Sequence, residues 1–307
     1  MPIFIMTPEV IRLQNSHTPA PLTFGGLGDA YGFCFEFTSA EFVQANNDLN
    51  YHQHPEFTNV SPGAYSDDTQ MQLALAEVIA SEMEWTAENI AESFVAVFKR
   101  NPRQGYASRF FEFLKSINSG QELIEKIIPK SERNGAAMRA PIIGLFPSID
   151  DLIAKSEVQA KITHNTLIGI DSAIAAALMS HFFFFNLGSK EELPSFLNNY
   201  LPKYDWHSKW TDPVPVEGII TVKAALSAIL ETDSLADLLK LCVSYTGDVD
   251  SVATIALASA SSYQGFARDI PNQLWSGFED NMYGLRYLLN LDSKVRATIA
   301  KLNSPSV

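Results

Sequence analysis

The longest apolar segment of the chain, residues 167–187, limits the folds that this sequence can adopt. Polar side chains interrupt the segment at five places: Asp171, Ser172, Ser180, His181 and Asn186. A membrane-spanning helix needs roughly 18 or more consecutive residues with few such interruptions. The segment is therefore predicted to be a helix buried inside a protein core and not a membrane span.

Apolar residues recur at helical spacing through most of the chain. Met71, Leu75 and Val78 share one helix face, and Thr86 is a typical N-cap for a segment that stops at residues 101–102, Asn-Pro. Alternation of apolar and polar residues, which would indicate a strand, is nowhere convincing. We therefore predict an all-α fold, a compact multi-helix orthogonal bundle centred on the most apolar helices, 167–185 and 251–266. The other predicted helices cover residues 69–83, 107–117, 149–160, 191–200, 222–231, 235–244 and 281–289. We expect the helix that contains residues 167–185 to begin at residue 164.

The chain of 307 residues carries 35 acidic and 22 basic side chains, which gives a net charge of −13. Nucleic-acid binding is therefore not expected, because neutralising phosphates requires clustered Lys and Arg. Cys34 and Cys242 are too few for a disulfide framework, so we expect a reducing, cytoplasmic environment. No basic residue precedes Arg12 and the first apolar run is short, so no export signal is predicted. Without an internal repeat or a break in composition, one domain is expected over residues 1–307.

Two short blocks combine carboxylates with hydroxyl groups at predicted helix starts. The first acidic block is Ser-Asp-Asp-Thr-Gln at residues 66–70, and the second is Gly-Asp-Val-Asp-Ser at residues 247–251. Helix capping and the helix dipole explain the first block adequately when it is considered alone. The second opens a very apolar helix, where unpaired carboxylates would be costly to bury. Together the blocks suit Mg²⁺, Mn²⁺ or Ca²⁺, and a two-cation site is the simplest explanation.

A glycine-rich segment near the N-terminus precedes an acidic residue in an apolar neighbourhood. Gly25, Gly28 and Gly32 lie three and four residues apart, the spacing of a smooth helix face against which another helix can pack closely. Glu36 follows within Phe-Cys-Phe-Glu-Phe, a setting that could raise its pKa. From this segment alone, a Glu at the surface end of a helix is an equally good interpretation.

A second group of segments could serve binding or structure. Residues 134–139, Asn-Gly-Ala-Ala-Met-Arg, could bring backbone N–H groups to an anion or could form a tight turn into a helix. His164 could cap a helix, sit in the core or bind phosphate, and the sequence alone favours the structural roles. His52 and His54 have no partner that would make a metal site, and we assign them no role.

Taken in order along the chain, residues 28–36, 66–71, 134–139 and 247–253 resemble the motifs of the ADP-ribosylglycohydrolase family. Thr163-His164 adds a fifth, shorter match. The combination is far more specific than any single block. The resemblance implies an all-α fold around a binuclear Mg²⁺ or Mn²⁺ site. It also implies hydrolysis of the bond between ADP-ribose and a protein side chain, with arginine as the expected acceptor.

The resemblance also assigns roles to individual residues. Glu36, Asp67 and Asp250 would carry out catalysis, with Glu36 either taking part in acid–base chemistry or gating the metal site. The implied metal ligands are Ser66, Asp67, Asp68, Asp248, Asp250 and Ser251. The implied neighbours of the ADP-ribose phosphates are Asn134, Gly135, Ala136, Met138 and His164. Positions 66 and 251 hold Ser where Thr is more usual in the family, and position 166 holds Thr where a second His often occurs.

Two segments match no family motif that we can name: an N-terminal leader, residues 1–20, and residues 203–217. We predict the latter to be a surface loop, as we do residues 46–62, because both are rich in turn-forming residues. Trp206 and Trp210 lie in the 203–217 loop. They are expected either to contact the acceptor protein at the rim of the site or to fill a gap in the helical core.

The leading hypothesis is a metal-dependent hydrolase whose partner is an ADP-ribosylated protein. One alternative is an immunity-type protein that neutralises an ADP-ribosyltransferase by occluding it. Another is a hydrolase of small ADP-ribose conjugates or of a modified nucleic acid, which the acidic net charge disfavours. The presence of all six expected ligands favours an enzyme, because a pure binder has no need for four convergent carboxylates.

Overall fold

The structure, a computed structural model, describes residues 8–302. Within this range every named element is helical, and strand-like pairing is confined to isolated bridges such as the one between Val214 and Gly247. This confirms the predicted all-α class. The first seven residues of the predicted N-terminal leader lie outside the described range.

The helices connect through turns and loops of varied length. In chain order they are α1 (Pro8–Gln14), α2 (Pro21–Gly32), α3 (Ala40–Asn46), α4 (Asp67–Ala80), α5 (Ala87–Arg100), α6 (Ser108–Ser116), α7 (Gly120–Lys126), α8 (Ile149–Lys161), α9 (Leu167–Phe184), α10 (Leu193–Tyr200), α11 (Gly218–Glu231), α12 (Leu235–Ser244), α13 (Val249–Ala260), α14 (Asn272–Gly277) and α15 (Leu285–Leu302). Short 3₁₀ turns cover Phe33–Phe35, Asn134–Ala136, Ala140–Leu145 and Lys190–Glu192. The predicted helices are therefore present, with several ends displaced.

Helix α9 lies in the core, as its composition predicts. Its length and mean hydropathy of 1.7 would also suit a membrane span, but 78% of residues 167–184 are buried inside the fold. The helix begins at Leu167 and not at the predicted His164. The reason is that the Thr166 hydroxyl accepts a hydrogen bond from Gly169 N at 3.0 Å and caps the first turn. His164 therefore lies on the connection that precedes α9.

Helices α2 and α13 pack closely through the glycine face of α2. A Cβ atom at Gly32 would lie 2.5 Å from Cα of Asp250, and one at Gly28 would lie 2.4 Å from the carbonyl oxygen of Ala253. Only glycine permits this approach, so the smooth face predicted from the sequence is the surface on which α13 rests. The contact brings the C-terminal end of α2 beside the N-terminal end of α13.

Candidate active site

The second acidic block forms the turn that enters α13. Gly247 has a φ of 86°, and a Cβ atom there would lie 2.2 Å from the carbonyl oxygen of Val214. The backbone N–H of Asp248 donates a hydrogen bond to the same oxygen at 2.9 Å. This turn, held against Val214, presents the buried side chains of Asp248, Asp250 and Ser251 at the start of α13.

The first acidic block is held in place by Asp29, a fully buried residue of α2. Both carboxylate oxygens of Asp29 accept from Ser66 N at 3.0 Å, and Oδ2 also accepts from the backbone N–H (2.9 Å) and the hydroxyl (2.5 Å) of Thr69. These bonds satisfy donors that the first turn of α4 leaves free. Ser66 Oγ accepts from Asp68 N at 3.3 Å and caps the helix, which keeps Asp67 and Asp68 at its N-terminal end.

Glu36 follows the 3₁₀ turn at the end of α2, and hydrogen bonds hold its backbone on both sides. His54 Nε2 donates to the Glu36 carbonyl oxygen at 3.0 Å, while His54 Nδ1 accepts from the backbone N–H groups of residues 56–57. These partners fix His54 as the neutral Nε2–H tautomer. The next residue, Phe37, has a φ of 50° and donates its N–H to the Gly247 carbonyl oxygen at 2.8 Å. Glu36 is therefore fastened to the turn that carries the second acidic block.

These three segments bring carboxylates together. A carboxylate oxygen from each of Glu36, Asp248 and Asp250 lies within 4.8 Å of the other two. Burial, together with the charges of Asp248 and Asp67, raises the pKa of Glu36 to about 9. Burial and the neighbouring carboxylates likewise raise the pKa of Asp67, Asp68 and Asp250 well above the usual range. So much buried negative charge requires either cations or bound protons.

The donor set fits hard divalent cations. Asp68 Oδ2 is buried and makes no hydrogen bond within residues 8–302, so a strong acceptor is left free for a ligand. The cluster around Glu36 is formed by carboxylates alone, the type of ligand that Mg²⁺, Mn²⁺ and Ca²⁺ prefer and that zinc uses less. The structure also places Glu36, which the family resemblance assigned to acid–base chemistry or gating, directly inside this cluster.

Residues 134–139, the predicted phosphate segment, lie next to the second acidic block. Asn134 N donates to the Val216 carbonyl oxygen at 2.9 Å, only two residues after the Val214 oxygen that accepts from Asp248. The His164 ring lies against the same segment, because a Cβ atom at Gly135 would be 3.2 Å from His164 Nε2. Asn134, Gly135 and His164 are therefore assembled at one place beside the carboxylates.

The side chains of the other two predicted phosphate neighbours pack in the hydrophobic core. Ala136 and Met138 are 0% and 4% exposed, and both side chains belong to the hydrophobic core. That these two residues lie near the ADP-ribose phosphates stays a prediction, which concerns their backbone atoms because their side chains pack in the core.

The 203–217 segment contributes its backbone to the site and its first tryptophan to the core. Trp206 is 1% exposed, and its Nε1 donates to the Leu201 carbonyl oxygen at 2.9 Å. Trp210 is half-buried, with its backbone N–H donating to Ser227 Oγ at 3.0 Å. The idea that Trp206 contacts an acceptor protein is wrong, and the alternative that it fills the helical core is confirmed.

Sequence reasoning missed two residues that position the site. Asp29 is a single carboxylate inside the apolar, glycine-rich helix α2, and that contrast is the signal that could have identified it. His54 stands in a polar loop with nothing in its neighbourhood to indicate a contact with Glu36. Only the folded arrangement reveals its role.

Three curated relatives are similar to this chain. ADP-ribosylhydrolase ARH3 from Xenopus tropicalis is 30% identical over 127 residues, which cover 38% of this chain and 36% of that protein. ADP-ribosyl-dinitrogen reductase glycohydrolase from Rhodospirillum rubrum is 28% identical, over 83% of this chain and 88% of that protein. ADP-ribosylarginine hydrolase Tri1 from Pseudomonas putida is 23% identical, over 78% and 68% respectively. The match thus spans little of the Xenopus protein and most of the two bacterial ones.

Fold comparison and family assignment agree. A solved structure described as an ADP-ribosylglycohydrolase-related protein complex matches with a TM-score of 0.70 and 18% identity, over 94% of this chain and 99% of that chain. At this level of identity the match shows a shared fold. The sequence profile of the ADP-ribosylglycohydrolases matches residues 25–302, a range that contains both acidic blocks, Glu36 and the 134–139 segment. The chain therefore belongs to the ADP-ribosylglycohydrolase family.

Proposed function

We propose that the protein hydrolyses the glycosidic bond between ADP-ribose and an arginine side chain of a modified protein, and so reverses ADP-ribosylation. The observation that carries this proposal is the carboxylate cluster of Glu36, Asp248 and Asp250 beside residues 134–136, on which the charges of the first acidic block also act. Two relatives, an ADP-ribosylarginine hydrolase and an ADP-ribosyl-dinitrogen reductase glycohydrolase, support a modified protein as the substrate.

The proposal includes two Mg²⁺ or Mn²⁺ ions as cofactors. Bound cations would supply Lewis-acid stabilisation of the ribose oxygens and of a nucleophilic water. The free acceptor on Asp68 and the mutual repulsion of the carboxylates support cation binding, because each leaves negative charge without a partner. The residues that would hold the ions are Ser66, Asp67, Asp68, Asp248, Asp250 and Ser251.

Glu36 is the residue that we assign to proton transfer. Its carboxylate lies near those of Asp248 and Asp250. His54 holds its carbonyl oxygen, and the next residue, Phe37, donates its N–H to the Gly247 carbonyl oxygen, so the position of Glu36 is well defined. In the reaction, a water oxygen forms a bond to the anomeric carbon of ribose while the bond from that carbon to the arginine nitrogen breaks. Glu36, whose ionised form bound cations would favour, accepts the proton that the water loses and passes a proton to the departing guanidine nitrogen, so that the carboxylate is restored.

A release assay tests the proposal. ADP-ribosyl-arginine, ADP-ribosyl-serine and ADP-ribosylated DNA are each incubated with the protein in Mg²⁺, in Mn²⁺ and in EDTA. We expect release from arginine with either cation and none in EDTA. Release from ADP-ribosyl-serine or from ADP-ribosylated DNA alone would show that the acceptor is not arginine. No release from any substrate would favour the alternative, a protein that neutralises an ADP-ribosyltransferase by binding it.

Two variants control the assay. Asp250→Asn removes a carboxylate of the cluster with little change of shape, and we expect it to abolish release. Asp171→Asn is the matched control, because Asp171 is also buried but pairs with Lys203 and accepts from the Tyr204 hydroxyl, outside the cluster. We expect it to retain release.

A cytoplasmic location also remains part of the proposal, supported by the free thiols of the two buried cysteines, and cell fractionation tests it.

A further inference from the structure

Arg139 is a buried cation at the C-terminal end of the phosphate segment. Its side chain is 2% exposed, and its guanidinium carbon lies 4.6 Å from the ring centroid of Phe94. Burial lowers its pKa to about 9, and no carboxylate pairs with it within residues 8–302. A buried charge without a counter-ion is costly unless hydrogen bonds compensate it. The hydrogen-bond partners of Arg139 therefore indicate which part of the fold this charge stabilises.

The guanidinium of Arg139 connects helix α8 to the phosphate segment. Nε donates to Gln159 Oε1 at 2.5 Å, and Nη2 donates to the Gln159 carbonyl oxygen at 3.0 Å. Gln159 in turn donates from Nε2 to the carbonyl oxygen of Ala136 at 3.0 Å. Nη2 of Arg139 also donates to Thr163 Oγ1 at 2.9 Å, so the network continues to the residue beside His164.

The contact between Thr163 and His164 determines a proton position. Oγ1 of Thr163 lies 2.6 Å from Nδ1 of His164 and already accepts from Arg139. The hydroxyl has a single proton to donate, and Nδ1 is its only acceptor within residues 8–302. A buried hydroxyl proton without an acceptor is costly, so the hydroxyl donates to Nδ1, and Nδ1 is then unprotonated. The ring proton of neutral His164 then resides on Nε2.

Nε2 of His164 makes no hydrogen bond within residues 8–302, although the residue is only 7% exposed. Nε2 would lie 3.2 Å from a Cβ atom at Gly135, so its N–H is next to the phosphate segment. Burial and the nearby charge of Arg139 lower the pKa of His164 well below its ordinary value, which keeps the ring neutral. A neutral imidazole donates from one nitrogen only, so the tautomer decides whether it can bind an anion here.

We propose that Arg139 and Thr163 are positioning residues for substrate binding: they hold His164 as the Nε2–H tautomer so that this N–H donates to a diphosphate oxygen of ADP-ribose. The inference rests on the proposed function, because it takes the diphosphate as the anion. The buried charge of Arg139 also favours binding of the diphosphate, because a nearby cation without a carboxylate partner attracts a dianionic ligand.

The tautomer is measured without any substrate. Nitrogen-15 labelling of histidine distinguishes protonated from unprotonated ring nitrogens, and Thr163→Val assigns the affected signals to His164. We expect Nδ1 of His164 to be unprotonated and Nε2 protonated in the wild-type protein. In Thr163→Val the donor to Nδ1 is absent, and we expect the signals to shift towards a mixture of tautomers. Thr163→Ser restores a hydroxyl and should restore the wild-type spectrum.

Ligand binding is measured on the same variants by calorimetry with ADP-ribose and, separately, with Mg²⁺. Loss of one hydrogen bond corresponds to a weakening of roughly threefold to tenfold, and we expect Thr163→Val to lose that much ADP-ribose affinity. Its Mg²⁺ affinity should be unchanged, and Thr163→Ser should bind ADP-ribose like the wild type. Thr232→Val is the matched control, because this buried Thr donates only to the Ala228 carbonyl oxygen, away from the site.

The outcomes separate this inference from the proposed function. A wild-type spectrum with Nδ1 protonated would overturn the positioning role, even if the enzyme is active. Wild-type ADP-ribose affinity in Thr163→Val, with the tautomer changed, would show that His164 does not serve the diphosphate. If the wild-type protein binds Mg²⁺ but not ADP-ribose, the proposed function itself fails, and with it the role of the Nε2–H group as a diphosphate donor.

Discussion

Removal of one carboxylate from the cluster should have opposite effects on the stability of the metal-free and metal-bound protein. Asp250→Asn is the appropriate change, because Oδ1 of an Asn can still accept the hydrogen bond that Asp250 accepts from Ser251 N at 2.9 Å. The shape of the site is thus retained while one negative charge is lost. We expect the variant to be more stable than the wild type in EDTA and to gain no stability from Mg²⁺.

The magnitude follows from the distances. Two charged carboxylates whose nearest oxygens lie within 4.8 Å of each other repel by about 3.5 kcal/mol at that upper separation and an effective dielectric constant of about 20. Asp250 has two such neighbours, but Glu36, with a pKa of about 9, carries a proton at neutral pH. The repulsion in the metal-free protein therefore comes from Asp248, and proton binding by the two Asp residues relieves part of it. We therefore expect the metal-free variant to gain about 2 kcal/mol or more in free energy of unfolding. A cation at a hundredfold excess over its Kd should stabilise the wild type by about 2.7 kcal/mol.

Urea unfolding at neutral pH, with EDTA and with saturating Mg²⁺, measures both quantities for each protein. Asp171→Asn again serves as the control, since Asp171 faces a cation, Lys203, and not other carboxylates. Loss of this partly exposed pair should cost about 1 kcal/mol or less and leave the Mg²⁺ effect intact. If Asp250→Asn is no more stable than the wild type in EDTA, or is stabilised equally by Mg²⁺, the cluster is not a cation site of the kind argued above.

Glu36→Gln should keep cation and ADP-ribose binding but lower kcat by roughly 10²-fold or more, as single-turnover kinetics would show. In EDTA the free energy of unfolding of the wild type should fall as pH rises from about 4.3, the ordinary Glu pKa, towards the Glu36 value of about 9. The unfolded chain releases this proton at lower pH than the folded one, so Glu36→Gln should flatten the slope in urea titrations. His54→Phe removes the hydrogen bond to the Glu36 carbonyl and should lower kcat by about tenfold with cation affinity unchanged. Trp206→Ala should lower the free energy of unfolding by about 3 kcal/mol or more, and a smaller loss would contradict its core position.

Helix positions could be predicted where a capping residue marks the start. Thr86 and Ser148 each accept a hydrogen bond from a backbone N–H three residues later, and the helices begin immediately after them. The helix predicted over residues 281–289 instead runs from 285 to 302. Asn281 Oδ1 accepts from Tyr283 N at 2.9 Å, and this local turn delays the helix start in a way that apolar spacing does not reveal.

The carboxylates of the two acidic blocks could be recognised from their residue types, but the place of Glu36 among them depends on tertiary packing. Gly28 and Gly32 indicate that some helix packs closely on α2, whereas the sequence does not say which helix it is. Once α13 occupies that face, the end of α2 must lie beside Asp248 and Asp250. The surface alternative for Glu36 fails for this reason, and no property of its own segment decides the matter.

The connection between α10 and α11 shows a further limit of residue type as a guide to function. Its conspicuous side chain, Trp206, fills the core, while the contacts with the site come from backbone groups of Val214 and Val216. A backbone hydrogen bond imposes little demand on the side chain at the same position. The residues that hold the Asp248 turn and Asn134 in register can therefore be ordinary in type. Chemistry-bearing ligands are visible in a sequence, whereas the backbone that aligns them becomes visible only when the chain is folded.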